Sequence, residues 1–274
     1  MSDRMPAAGN LRQVFRDLHR DGCFVIPNPW DIGSARTLAR MGFRALATTS
    51  SGFAWSLGRR DNQVTLDEAL NHFRSIAGNV TVPVNGDFEG GFAVEPEQVA
   101  ANVLRATTTG VAGLSIEDST GNSSLPLFDF DLAVERVRAA REAIDQSATG
   151  VVLTGRSEGF IVGRPDLQET LRRLTAYAEA GADCLYAPGI RTREGIKAVV
   201  RAVAPKPVNV LVGSDFTTVS ELASLGVRRI SVGGALARMA WTGFLNAAGE
   251  IAERGSFGGL GGGVSFDQIN DSFE

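Results

Sequence analysis

Short apolar runs rich in β-branched residues recur along the chain, and between them apolar residues return every three or four positions. A period of two, or a brief continuous run, marks strands; a return at three and four marks amphipathic helices. The strand pattern falls near 23–27, 45–49, 80–85, 112–117, 150–154, 183–187, 207–212 and 228–232. Helices are predicted at 34–41, 66–76, 96–107, 132–144, 166–180, 192–202, 217–225 and 235–252. Leu11, Phe15 and Leu18 mark the face of one more helix ahead of the first strand. The punctuation agrees. Thr65 followed three residues on by Glu68 is a capping box. Pro96 stands in a first turn, where a missing N–H costs nothing. Ala180-Gly181 and Leu225-Gly226 carry the glycine that ends a helix before a strand. Residues 1–10 are small and polar and are expected to fray.

Strands each followed by a helix, repeated eight times, argue for a parallel (β/α)8 TIM barrel, with an open doubly wound sheet as the alternative. The chain has 274 residues with no sharp change in composition, which predicts one barrel domain over 1–254 and a Gly-rich hinge and C-terminal tail over 255–274. The run Gly258-Gly259-Leu260-Gly261-Gly262-Gly263 follows no strand, so it reads as a flexible hinge, not a nucleotide loop. Gly233-Gly234 reads as a close strand-to-helix turn, with a phosphate cradle as the alternative.

Composition narrows the function. Hydrophobic residues make up 43% of the chain, enough for a sizeable core. The net charge is −4 with acids and bases interspersed, which argues against a nucleic-acid partner. Neither an apolar run long enough to span a membrane nor a signal peptide is evident, so a cytoplasmic protein with no membrane partner is expected. Cys23 and Cys184 lie in apolar runs and read as core residues. His19 and His72 stand on helical patterns with polar neighbours and are expected to be solvated.

Active sites of such barrels lie at the C-terminal ends of the strands. The first predicted strand ends in Asn28-Pro29-Trp30-Asp31. The second is followed by Ser50-Ser51-Gly52-Phe53 and then Arg59-Arg60-Asp61-Asn62. The third begins with alternating Val80, Val82 and Val84, breaks at Asn85-Gly86, and offers Asp87 and Glu89 among glycines. The fourth ends in Glu117-Asp118, the fifth brings Arg156 and Glu158, and the seventh carries Asn209. Paired acids in a glycine-rich loop suit a hard divalent cation; the alternative is a polar loop in which Asp87 or Glu89 caps the next helix. Together, Asp87, Glu89, Glu117 and Asp61 are expected to surround Mg²⁺, for which Mn²⁺ can substitute, directly or through water. Arg156 would neutralise them or clamp a substrate carboxylate. Ser50, Ser51 and Gly52 would supply hydroxyls and N–H groups near a developing oxyanion. The alternative is a structural acid–arginine network that ties the rim together.

In this order, Asn28-Pro29-Trp30-Asp31, Ser51-Gly52, Gly58-Arg59-Arg60-Asp61, Asp87-Phe88-Glu89-Gly90-Gly91, Ile116-Glu117-Asp118 and Gly155-Arg156-Ser157-Glu158 resemble the isocitrate lyase / phosphoenolpyruvate mutase superfamily over residues 11–241. The resemblance implies a magnesium-dependent barrel that makes or consumes a pyruvate-like enolate. It makes Asp87 the direct metal ligand, with Glu89 and Glu117 acting through water and Asp61 close by. It gives Arg156 the substrate carboxylate, and Ser51 with the amides of Gly52 and Phe53 the enolate oxygen. Trp30, Ser50, Glu158, Asn209, Asn122 and Ser123 stand as candidate substrate contacts. It further implies a homotetramer, a dimer of dimers that swaps the final helix, with Trp241 and Phe244 packed on a neighbour. The expected activity is that of a lyase cleaving a C–C bond next to the carboxylated carbonyl or carbinol of a small carboxylic acid. A phosphonate C–P mutase or hydrolase and a keto-acid-binding barrel without turnover are the alternatives. One departure bears on substrate. The family's gating loop carries a Lys-Lys-Cys-Gly-His-type motif in isocitrate and methylisocitrate lyases, and lysine and asparagine in phosphonate mutases. Here 119–128 reads Ser-Thr-Gly-Asn-Ser-Ser-Leu-Pro-Leu-Phe, with no Cys, His or Lys.

Overall fold

Leu11, Phe15 and Leu18 are buried along one side of helix α1 (Ala8–Leu18). Phe15 and Leu18 join a cluster with Phe24, Ile26, Ala45, Ala47, Ala112 and Val152, contributed by four different strand segments. The computed structural model describes residues 8–273. Of the stretch expected to fray, 1–7 lie outside the described residues and 8–10 open α1.

Eight parallel strands follow: β1 (Phe24–Ile26), β2 (Leu46–Ala47), β3 (Val84–Asp87), β4 (Gly113–Glu117), β5 (Val152–Arg156), β6 (Cys184–Tyr186), β7 (Val208–Leu211) and β8 (Arg229–Ser231). Each pairs with its sequence neighbour from β2 round to β8, and β8 pairs with β1. The Ala47 N–H donates to the Pro27 carbonyl at 3.1 Å and draws β2 to the end of β1. The architecture is a (β/α)8 barrel. The helices are α2 (Ile32–Arg40), α3 (Ser50–Ser56), α4 (Leu66–Ala77), α5 (Pro96–Thr107), α6 (Phe130–Ser147), α7 (Leu167–Glu179), α8 (Arg193–Val203), α9 (Val219–Ser224), α10 (Ala235–Arg254) and α11 (Phe266–Asp271). No helix among the described residues is long and apolar enough to cross a membrane.

Strand alternation sorts the side chains. Leu114, Ile116, Leu153, Leu185, Val208, Val210 and Ile230 face outward into the main core beneath the helices. The residues between them point into the barrel, and most are polar: Asn85, Asp87, Ser115, Glu117, Arg156, Tyr186, Asn209, Arg229 and Ser231 line one cavity.

Three expectations are corrected. The third strand starts at Val84 and runs through Asn85-Gly86 to Asp87, not over 80–85. Pro83 lacks an N–H for the ladder, so the pairing begins where its carbonyl accepts from Leu46 N–H. Val80 and Val82 instead pack with Ala35, Leu38, Leu46, Ile76 and Val84. Gly86 lies within the strand, paired with Leu114, and packs so close to Phe73 that an added Cβ would lie 2.8 Å from its ring. Neither histidine is freely solvated: His72 is buried and His19 half-buried. The His72 ring stacks on Phe53 at 3.9 Å, and its pKa is lowered to about 4 by burial. His19 packs edge-on against Phe15 and Phe24, and burial lowers it to about 3. In the Gly-rich stretch, the Glu250 carboxylate accepts from the amides of Gly258 (3.0 Å) and Gly259 (2.6 Å) and from Ser256 (2.5 Å). That anchors a short 3-10 turn, Gly258–Leu260, against α10.

Candidate active site

The cavity has a volume of about 340 Å³ and opens at the C-terminal ends of the strands. Asp87 is the last residue of β3, and its N–H donates to Thr48 Oγ1 at 2.9 Å. Its Oδ2 accepts from the Ser50 N–H at 3.1 Å, and its Oδ1 from Arg156 Nη1 at 2.7 Å. Arg156 ends β5 and also meets Glu117 Oε2 at 3.1 Å and Glu158 Oε1 at 2.9 Å. The Tyr186 ring lies 5.1 Å from its guanidinium carbon. One arginine thus faces three largely buried carboxylates.

The acids outnumber the base, and their protonation reflects it. Burial, and then Arg156 opposing it, set Glu117, whose pKa stands well above the ordinary carboxylate value. Glu158 is likewise raised, chiefly by burial. Glu89, in a left-handed backbone conformation (φ 46°), is pushed up to about 8 by burial and then by the charges of Asp87 and Asp61. Desolvation at the rim, and next the charge of Asp87, raise Asp61. This surplus of oxygen donors and negative charge fits a hard divalent cation. Among the described residues no three His, Cys, Asp or Glu side chains converge closely enough to cage a metal. The fit is therefore to an ion held by one or two carboxylates with water completing its shell, the manner in which magnesium binds.

The other candidates divide. Ser50, Ser51, Asp61, Glu158 and Asn209 line the cavity with Asp87 and Glu117. Glu89 lies outside the wall, near enough for the charges of Asp87 and Asp61 to act on it. Gly52 and Phe53 do not line it. Thr49 caps α3, so the Gly52 N–H is spent on Thr49 Oγ1 and the Phe53 N–H on the Thr49 carbonyl. The sequence pattern did not predict this helix, because Ser-Ser-Gly after a threonine reads as loop. Trp30 packs behind Gly52, where an added Cβ would come within 3.0 Å of it and 2.7 Å of Thr49. Asn122 and Ser123 are exposed outside the cavity wall, while Ser119 at the base of their loop lines it.

Several lining residues were given no role by the sequence reading. Asn28 Oδ1 accepts from the amides of Val232 and Gly233, each at 2.9 Å, and fastens the end of β1 to the turn after β8. Tyr186, Arg229 and Ser231 line the cavity as well. The alternation Arg229-Ile230-Ser231 held the signal, since it sets an arginine and a serine on the face opposite an isoleucine. Beneath the wall, buried Asp118 accepts from the Glu158 N–H (2.7 Å), Tyr177 OH (2.7 Å) and Arg173 (3.1 Å). Arg173 also donates to the Phe128 carbonyl at 3.0 Å, so one carboxylate ties Glu158 to the end of the 119–128 loop.

Residues 15–252 match the family model described as phosphoenolpyruvate phosphomutase. A Burkholderia cenocepacia J2315 protein provisionally assigned as a lyase/mutase is 45% identical, with 97% of each chain covered and a TM-score of 0.94. Oxaloacetate acetylhydrolase, solved with its product oxalate, is 26% identical, with 98% of this chain and 95% of that one covered and a TM-score of 0.86. The oxaloacetate decarboxylase of Pseudomonas putida (strain GB-1) is 29% identical over 82% of this chain and 79% of its own length.

Proposed function

The chain belongs to the phosphoenolpyruvate phosphomutase family, within the isocitrate lyase / phosphoenolpyruvate mutase superfamily of lyases and mutases, and from that premise we propose that it is a magnesium-dependent lyase. It cleaves a C–C bond next to the carboxylated carbonyl or carbinol of a small acid and passes through a pyruvate-like enolate. The observation that carries this reading is the meeting of Asp87, Glu117 and Glu158 on Arg156 beside the hydroxyl-bearing turn of Ser50 and Ser51. The names of two relatives, oxaloacetate decarboxylase and oxaloacetate acetylhydrolase, favour acids of about that size.

Asp87 would hold the cation, with Glu117, Glu89 and Asp61 contributing through water. When bound, the ion supplies Lewis-acid charge to an oxyanion developing on the substrate. Arg156 presents its guanidinium to the substrate carboxylate, an orientation fixed by Glu158 at two of its nitrogens. Ser50 and Ser51 offer hydroxyl donors on the other side. Asp118 and Arg173 keep Glu158 and the loop base in register from below. The test is turnover of an oxo- and hydroxy-acid panel that includes oxaloacetate, with Mg²⁺ and with excess chelator. Metal-dependent release of a 2-oxo acid or oxalate is expected. Inertness toward the whole panel, with folded protein and metal present, would overturn the reading.

A further inference from the structure

Among the described residues Arg229 has no anionic partner. It opens β8, two residues before Ser231 on the same inward face, and is only 2% exposed. Its Nε donates to Asn209 Oδ1 at 2.9 Å, its Nη2 to Thr154 Oγ1 at 3.0 Å, and its Nη1 faces His19 Nε2 at 3.3 Å. These partners are neutral, His19 included, since burial and the charge of Arg229 hold its pKa down to about 3. Among the described residues no carboxylate comes within ion-pair distance of Arg229, and the groups that act on its charge are Cys184, Tyr186 and Arg156. A buried cation is ordinarily paired, because burial removes its hydration. Five N–H groups belong to a guanidinium, and these three contacts leave two of them without a partner among the described residues.

Arg229 lines the same cavity as Arg156, and no other cation does so among the described residues. The two cations differ in setting. Arg156 is already shared among Asp87, Glu117 and Glu158. The 119–128 loop brings no lysine, arginine or histidine to the mouth. A second anionic group on a substrate therefore meets no unspent positive charge at the rim and one on the floor. Around that charge stand donors without charge: Asn209 Nδ2 bonds Ser231 Oγ at 2.9 Å, and Ser231 Oγ lies 3.5 Å from Tyr186 OH.

We propose that Arg229, with Asn209, Ser231 and Tyr186, forms a second anion subsite on the cavity floor, which receives the far carboxylate or phosphonate of a substrate whose 2-oxo-acid end sits at Asp87 and Arg156. The subsite rests on the reading of the rim as a 2-oxo-acid site. It makes Arg229 a specificity-determining residue, since a far group without charge leaves the guanidinium buried and unpaired.

The test is calorimetric binding to the full chain with Mg²⁺, using length-matched pairs: 2-oxoglutarate with 2-oxopentanoate, oxaloacetate with 2-oxobutanoate, and 3-phosphonopyruvate as the phosphonate arm. Oxalate, which spans only the rim, is the control. The dianion of at least one pair, or the phosphonate, is expected to bind about 10- to 100-fold more tightly than the matched monoanion. Whichever far group shows the preference identifies its chemistry. In Arg229→Met the ratio should fall to near one while oxalate affinity holds, and Arg229→Lys should keep part of the preference. Ratios within threefold of one in the wild type, or a ratio that survives in a folded Arg229→Met, would overturn the subsite. Should that variant fail to fold, the wild-type ratios decide. Loss of oxalate binding in the wild type would strike the enolate reading instead, and the subsite would stand or fall on the paired ratios alone.

Discussion

Arg156 Nη1 meets Asp87 Oδ1 at 2.7 Å, across the rim from β5 to β3, with β4 between them. The pair sets the electrostatics of the whole site. Asp87 is the one carboxylate that touches both the guanidinium and the first amide of α3, through Ser50 N–H. A cation at Asp87 and a substrate carboxylate at Arg156 would divide the pair between them, which makes both residues sensitive points.

The first expectation concerns the metal. Asp87→Ala should abolish turnover while the barrel stays folded, because Arg156 keeps Glu117 and Glu158 as partners. Loss of several kcal/mol of oxyanion stabilisation corresponds to a rate drop of about a thousandfold or more. Excess chelator should do the same to the wild type, and Mg²⁺ or Mn²⁺ should restore it. Steady-state assays beside circular dichroism check this; undiminished rates in chelator would contradict it.

The second concerns acid stability. Burial holds His72 near 4 and His19 near 3, both neutral in the folded chain. Below the ordinary histidine value near 6.5, the unfolded chain takes up protons that the folded one refuses. Stability should therefore be fully present above that value and fall as pH drops toward 4 and 3, by about 1.4 kcal/mol per pH for each histidine. His72→Phe, which can keep the stack on Phe53, should shift the acid unfolding midpoint to lower pH. Denaturant melts from pH 7 to pH 4 read this directly, and an unchanged acid limb would count against it.

The third concerns the support under the wall. Asp118→Ala removes the acceptor shared by Glu158 N–H, Tyr177 and Arg173, and it leaves Arg173 with Glu169 as its remaining carboxylate. Breaking a buried pair of this kind costs about 3 kcal/mol. Urea unfolding should show that loss, and activity should fall with it as Glu158 loses its tether. A variant as stable as the wild type would mean that Arg173 and Tyr177 find other partners.

How much of this was legible beforehand depends on what each residue needed. Helix 96–107 was read to the residue because Pro96 fixes its start. The barrel followed from eight repeats of one pattern, and the rim acids from where the strands end. Three local features were hidden. Thr49 caps a helix made of Ser-Ser-Gly-Phe, a sequence with loop character. Pro83 removes a ladder donor and moves β3 toward Asp87. His72 and His19 have polar sequence neighbours, yet His72 stacks on Phe53 and His19 packs edge-on against Phe24, contacts that only the tertiary fold creates. Arg229 was visible in its alternation, but its setting was unreadable, since the lack of an anionic partner among the described residues is a fact about space.

The fourth expectation concerns assembly. Helix α10 buries only Ala237 among its twenty residues and leaves Met239 67%, Phe244 60% and Leu245 59% exposed. Trp241 and Phe244 lie edge-on at 5.5 Å within this apolar face. A face of that kind on a monomer is an association surface. A homo-oligomer, a tetramer by family resemblance, is expected by light scattering at micromolar concentration. Phe244→Asp should lower the mass, and a wild-type monomer would refute this.

The last concerns the 119–128 loop. It is held at its base, where Ser119 bridges Leu127 and the Phe128 N–H donates to the Asp118 carbonyl at 2.9 Å. Toward its tip it is held by its own turns: the Leu125 N–H donates to the Asn122 carbonyl, and the Ser124 N–H to Asn122 Oδ1. Asn122 and Ser123 stand outside the cavity wall, and little apolar surface would be lost on moving them inward. Loops of this make-up open and close at small cost. No side chain in it titrates near neutral pH, so on closing it can exclude water and offer hydroxyls but cannot itself donate the proton that a cleavage leaving group needs. Methylisocitrate and isocitrate should therefore be cleaved slowly or not at all, while acids whose leaving group needs no such donor turn over. Ser123→Ala/Ser124→Ala should lower kcat without changing which acids react. Efficient methylisocitrate cleavage, with kcat of about 10 s⁻¹, would show that a proton donor reaches the site from elsewhere in the chain or from a neighbouring copy.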